Sequence, residues 1–293
     1  MTVLGSSHPS LSPVGLIWRS LVVGLIYMLV SMVTAPVGAL LGVMQTSSAA
    51  GDPAVIMLSM FVGGILLAPV MGPISTKLTL PRAQRIAVLF LTLYMFTYLI
   101  GAPEILLFTT MPLPLQAFLL IDNLIVYLVL AILIGVLFPP AQVGADLATA
   151  VKKYFAQRNW KDWLWRYALA AVLFFPIYFI FGGIFSPITL SYYNRPELGL
   201  GLVIPSFEVM IPMEIARGLV YALTMVPLLA VLQMPKWRLG LWTGLILAVV
   251  AAVVPQVVNV GWPLSLRLGH GVEMVCDGFA QGFMMAWLLW VEK

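Results

Sequence analysis

Residues 113–138 read LPLQAFLLIDNLIVYLVLAILIGVLF, in which Gln116, Asp122 and Asn123 are the only charged or amide side chains. An α-helix rises about 1.5 Å per residue, so this run covers the roughly 30 Å of a hydrocarbon core with a margin for tilt. Similar runs recur near 15–44, 54–74, 84–103, 163–188, 205–233, 239–261 and 269–290, which predicts eight membrane-spanning helices with the first run included. The fold expected is therefore all-α and polytopic.

Composition points the same way. The chain of 293 residues is 62% hydrophobic and 9% charged, with a mean hydropathy of +1.05, whereas a soluble domain carries about a quarter charged residues. The net charge of +4 fits basic cytoplasmic loops and gives no reason to expect a nucleic-acid partner. Cys276 is the single cysteine, so an internal disulfide framework is excluded. MTVLGSSHPSLSPVG has no Lys or Arg ahead of the first apolar run, and that run is too long for a cleaved signal peptide. It reads as an uncleaved first span. The longest polar interruption, near 141–161, is too short for a soluble domain, so chemistry is expected in the membrane or at its faces.

Basic residues mark one side of the membrane. Lys77, Arg82 and Arg85 follow the second span; Lys152, Lys153, Arg158, Lys161 and Arg166 follow the fourth; Lys236 and Arg238 follow the sixth. The opposite connections hold only Arg195 and Arg267. The positive-inside rule then places both termini in the cytoplasm, in agreement with Arg19 and Lys293, and the protein in a plasma (inner) membrane.

The stretch 139–162 divides the spans four and four, predicting a first membrane half at 1–138, a cytoplasmic connector at 139–162 and a second half at 163–293. Matched landmarks suggest an internal repeat. Trp18-Arg19 answers Trp165-Arg166, LPRAQR (80–85) answers MPKWR (234–238), and MPL (111–113) answers WPL (262–264). Two copies of four spans would share one orientation about an axis along the membrane normal. Prolines and tryptophans also recur at interfaces without duplication.

Ionisable groups inside a membrane are costly unless paired or wetted, so each is a candidate for function or for a structural pair. His270, Glu273, Asp277 and Gln281 fall on one helical face within RLGHGVEMVCDGFAQG (267–282), and Met210, Glu214, Arg217, Tyr221 and Thr224 share a face of the sixth span. Asp122 stands at a similar depth in the fourth span and opposite Glu273 in the repeat. Asp122, Glu214, Arg217, Tyr221, His270, Glu273 and Asp277 are thus the expected substrate- or ion-binding set. The fourth, sixth and eighth spans should converge on a pocket, with Arg217 bridging Glu214 to a carboxylate of the eighth. Four carboxyls against one obligatory cation favour a proton, a cation or a hydrated polar ligand. The glycines at 63–64 and 182–183 suit close helix packing.

Other chemistries fit less well. HGVEM is not the H-E-x-x-H zinc motif, and the other histidine, His8, is in the N-terminal tail, which also excludes bis-histidine haem. An intramembrane protease built on paired glutamates followed by an arginine is not encoded, since 213–218 reads MEIARG with a single Glu. A carboxylate-held divalent metal is left open, and the cofactor is undetermined. The expectation is a carrier or channel-like protein for a small cation, proton or polar solute. A non-catalytic subunit or scaffold is the alternative, and a metal-dependent membrane enzyme comes third. Partners expected are the lipid bilayer, a small ligand or ion, and other membrane proteins or further copies of the chain.

Overall fold

The computed structural model describes residues 12–43, 52–232 and 234–292; His8 and Lys293 lie outside them. Among the described residues the chain is helical, without strands, apart from one isolated bridge between Thr109 and Leu202. The elements are α1 (Pro13–Leu40), α2 (Pro53–Lys77), α3 (Arg82–Tyr94), α4 (Ala102–Phe108), α5 (Leu113–Leu137), α6 (Leu147–Phe155), α7 (Trp160–Thr189), α8 (Phe207–Val231), α9 (Lys236–Ile246), α10 (Val254–Val258) and α11 (Leu264–Leu289). Among the described residues seven helices are long and apolar enough to cross a membrane, α3 with α4 and α9 with α10 each counting as one. The eighth expected span corresponds to α11. It has the length but carries Arg267, His270, Glu273, Asp277 and Gln281.

Helix starts follow local chemistry. Ser12, Asp52, Asp146 and Asn159 cap α1, α2, α6 and α7 by accepting hydrogen bonds from backbone N–H groups of the first turn. Pro81, Pro112, Pro235 and Pro263 sit at the caps of α3, α5, α9 and α11, where a missing N–H costs nothing.

Two helices change pitch midway. Met95–Leu99 and Leu247–Val253 are π-helical, and Pro103 and Pro255, which cannot donate a backbone bond, follow within α4 and α10. The two π segments pack on each other. The expected third span at 84–103 therefore continues, bent, to Phe108 and brings Glu104 inside the bundle.

Packing divides into like pairs. α1 lies on α2 and α5, and α7 lies on α8 and α11; α3 lies on α5, and α9 on α11. Across the middle α3 touches α8 and α9 touches α2. α8 is central: 67% of its apolar window is buried, against 17% in α7. Leucine, isoleucine and valine side chains such as Val33, Ile121 and Ile184 cover the outer surfaces of α1, α5 and α7, as a lipid-facing perimeter requires.

Close approach depends on glycine at two crossings. A Cβ on Gly64 would lie 2.7 Å from the Cα of Gly24, and one on Gly282 would enter the backbone of Gly244. The pair at 63–64 thus packs helices as expected, whereas Gly183 faces open space. The connector 139–162 holds a structured element that its composition does not announce. α6 docks on α8, and the buried Tyr154 hydroxyl donates to the Leu289 carbonyl at 2.8 Å.

Candidate functional site

The polar face of α8 turns inward: Met210, Glu214, Arg217, Tyr221 and Thr224 are all buried, at the spacing of successive helical turns. Glu214 is fully enclosed, and an enclosed carboxylate needs a charged donor. Arg217, one turn later, supplies it. Its Nη1 donates to Glu214 Oε1 at 2.7 Å and to Oε2 at 2.8 Å, its Nη2 to Glu104 Oε2 at 2.7 Å, and its Nε to the Ile100 carbonyl at 3.2 Å. The planar fork of a guanidinium suits this many-sided grip; an ammonium could not span it.

Glu104 corrects the sequence expectation. Arg217 does bridge Glu214 to a second carboxylate, but that group comes from α4, and none of the α11 acids is ion-paired to it. The cause is the π segment and the restart at Gly101–Pro103, which swing Glu104 and the Ile100 carbonyl toward α8. Tyr178 of α7, absent from the expected set, donates its hydroxyl to Glu104 Oε1 at 3.3 Å. The signal that could have found Glu104 was the Gly-Ala-Pro-Glu break at the end of an apolar run.

On α11, His270 Nδ1 lies 3.1 Å from Glu273 Oε2, and the Gln281 amide donates to Asp277 Oδ1 at 2.7 Å. Gly182 of α7 lies beside this face: a Cβ there would be 3.4 Å from Glu273 Oε1, an ordinary packing distance.

These groups surround one narrow cleft, lined by Glu104, Tyr178, Arg217, His270, Glu273 and Asp277 among others, with Tyr221 and Phe174 on its wall. The space suits a few waters or one small ion and is too small for a metabolite. Asp277 is within electrostatic reach of Arg217, Glu214 and Glu104, and His270 of Glu273, Glu104 and Asp277. Four carboxyls, Glu104, Glu214, Glu273 and Asp277, thus share the region with one permanent cation and one histidine. That is the expected excess of acid, with Glu104 in the place given to Asp122.

Asp122 itself lies elsewhere. Its helix, α5, packs on α1, α2 and α3, and the carboxyl sits near Thr34, Tyr27, Tyr98 and Tyr127, with Oδ1 buried and lacking a hydrogen-bond partner. The fourth expected span therefore adds nothing to the cleft lining, because α5 packs against α1 and α3, away from the α7 and α11 walls.

Among the described residues, no three His, Cys, Asp or Glu side chains are grouped to hold a metal ion. Cys276 is free and half-buried and does not line the cleft. Comparisons with known protein families, with curated proteins and with solved structures find no match.

Proposed function

We propose that this protein is a membrane carrier for protons or a small cation, working through the cleft between α4, α7, α8 and α11. The observation that carries this reading is the charge imbalance. Arg217 is committed to Glu104 and Glu214, and His270 to Glu273, which leaves Asp277 with only the neutral Gln281 amide. A carboxyl in that position is satisfied by a proton or by a small cation, and the cleft has room for little more. In the proposal Asp277 exchanges the ligand, Glu273 and His270 form the adjoining stage, and Arg217 with Glu104 and Glu214 holds the facing wall. The π segments and the Pro103 and Pro255 breaks support a carrier, since discontinuous helices pivot and expose backbone groups beside a binding site.

The architecture belonging to this reading has eight spans in an inner membrane, α11 being the eighth with its polar face turned to the cleft, and both chain termini in the cytoplasm. The halves, 1–138 and 163–293, are a parallel duplication joined by the connector at 139–162. Helix bounds support it: α1 and α7 begin at Pro13 and Trp160, α2 and α8 span Pro53–Lys77 and Phe207–Val231, and α5 and α11 begin at Leu113 and Leu264. These are the offsets found between the sequence landmarks. The matched π segments and like packing pairs add to it.

A second reading, a scaffold or subunit associated with other membrane proteins or further copies of itself, is favoured by the completeness of the Arg217 bonds. The metal-dependent enzyme finds no support in the grouping of ligands. Purified protein in liposomes containing either a pH-sensitive or a sodium-sensitive dye separates the first two. An imposed membrane potential should drive proton or sodium flux above that of empty vesicles, and Asp277→Asn should abolish it. Absence of flux in wild type for both ions, with Asp277→Asn altering only thermal stability, would establish the scaffold.

A further inference from the structure

The ends of α7, α9 and α11 meet at a junction that the cleft does not involve. Arg158 Nη2 donates to the Trp290 carbonyl at 2.9 Å and Arg166 Nη1 to the Leu288 carbonyl at 2.8 Å, so two guanidinium groups close the C-terminal end of α11. Trp290 Nε1 donates to the Met234 carbonyl at 3.2 Å, tying the start of α9 to the same place. The Lys236 ammonium then lies 3.6 Å from the centre of the Trp287 ring.

Charge at this junction is unbalanced. Arg158, Arg166 and Lys236 are within electrostatic reach of one another. Asp162 is the carboxylate among them, and its oxygens already accept from Arg158, Arg166 and Trp165 Nε1. Glu292 is exposed in the tail and makes no ion pair among the described residues, and neither does Lys236. Cations at a helix C-terminus are ordinarily answered by its carbonyls. Here Arg158 and Arg166 hold the Trp290 and Leu288 carbonyls and Tyr154 the Leu289 carbonyl, and the Lys236 ammonium faces the Trp287 ring without an ion-pair partner among the described residues.

The surface beside it is apolar. Trp287 is 69% exposed, and Phe283, one turn deeper on α11, and Leu241 of α9 are exposed along the same flank. Cation at the rim, indole at the edge and hydrocarbon below is the order of groups in a phospholipid read from phosphate to acyl chain. Trp18 with Arg19, Trp160 with Lys161, Trp165 with Arg166 and Trp237 with Arg238 are neighbours in sequence, and Arg158 reaches Trp163 within the same stretch of chain. Lys236 over Trp287 joins two helices above an apolar strip.

We propose that this junction binds the phosphate of an anionic phospholipid, with Lys236 as its ligand, Arg158 and Arg166 supplying the field, and Trp287 and Phe283 lying along the acyl chain. A free phosphate would use the same donors without the apolar strip.

The test is thermal unfolding of the full chain in neutral detergent, titrated with phosphatidylglycerol, phosphatidylcholine or inorganic phosphate. Phosphatidylglycerol should stabilise and the other two should not. Lys236→Gln should weaken the apparent affinity about fivefold, the worth of one basic residue at a lipid surface. Lys236→Arg should retain it, and Arg195→Gln, remote from the junction, should not change it. Native mass spectrometry of the same samples counts bound lipid where Lys236→Gln shifts the unfolding baseline. Equal response to phosphatidylcholine, full stabilisation by phosphate alone, or undiminished phosphatidylglycerol binding by Lys236→Gln would overturn the proposal.

Discussion

Arg217 and Glu104 form a 2.7 Å ion pair that joins a helix of the second half to a restarted helix of the first, on the same guanidinium that holds Glu214. Removing the cation strands two carboxylates in a site where Glu214 is fully enclosed. Arg217→Gln should cost about 3–5 kcal/mol, the usual penalty for breaking a buried pair from one side. Arg217→Lys should recover only part of it, because an ammonium cannot reach the two carboxylates and the Ile100 carbonyl together. Glu104→Gln should cost less, its side chain being 24% exposed. Thermal unfolding in detergent reads all three.

Asp277 and Asp122 provide a contrast between the cleft and the other half. Asp277→Asn and Glu273→Gln should eliminate ion flux in liposomes while the unfolding temperature stays within a few degrees of wild type, since each amide keeps most of the neighbouring hydrogen bonds. Asp122→Asn should leave flux intact. Loss of flux on Asp122→Asn would place the transport route in the first half.

Glycine substitutions test the helix crossings. Gly282→Ala drives a methyl into the Gly244 backbone and should destabilise by about 1–3 kcal/mol, the range for overpacking a close contact. Gly183→Ala meets nothing within 4 Å inside α7 and should not destabilise, helix propensity favouring alanine by up to about 1 kcal/mol. Equal effects would show that α9 and α11 have room to separate.

Tyr154 anchors the connector helix. Tyr154→Phe leaves the Leu289 carbonyl without its donor and should cost about 1–3 kcal/mol, with faster amide exchange across α6. Burial holds the Tyr154 phenol well above the ordinary tyrosine range, so the folded chain keeps this proton more tightly than the unfolded chain does. The associated stability is fully present below about pH 10 and falls as pH rises past the unfolded value. Unfolding temperature measured from pH 8 to 11 should therefore drop less steeply in Tyr154→Phe than in wild type.

Much of the site was legible because membrane helices expose their periodicity. Glu214, Arg217 and Tyr221 stand on one face of α8, and His270, Glu273 and Asp277 on one face of α11, by spacing alone, and each set turns toward the cleft. Tyr178 was missed because a tyrosine in a span more often anchors an interface than bonds an acid.

The apolar runs by themselves determine that the chain is helical and suited to lipid, since unpaired backbone cannot enter hydrocarbon and about 20 apolar residues are needed to cross it. Among the candidate site residues they also set four acids, Asp122, Glu214, Glu273 and Asp277, against Arg217 as the one permanent cation. Which acid meets which cation was decided by tertiary structure. The π-helical segment Met95–Leu99 and the restart at Pro103 precede Glu104 on its way to Arg217, whereas the packing of α5 on α1, α2 and α3 keeps Asp122 among Tyr27, Tyr98 and Tyr127. Helical period places a side chain on a face; which face of another helix it meets depends on bends and crossings set by packing between distant residues, and those contacts have no local signature.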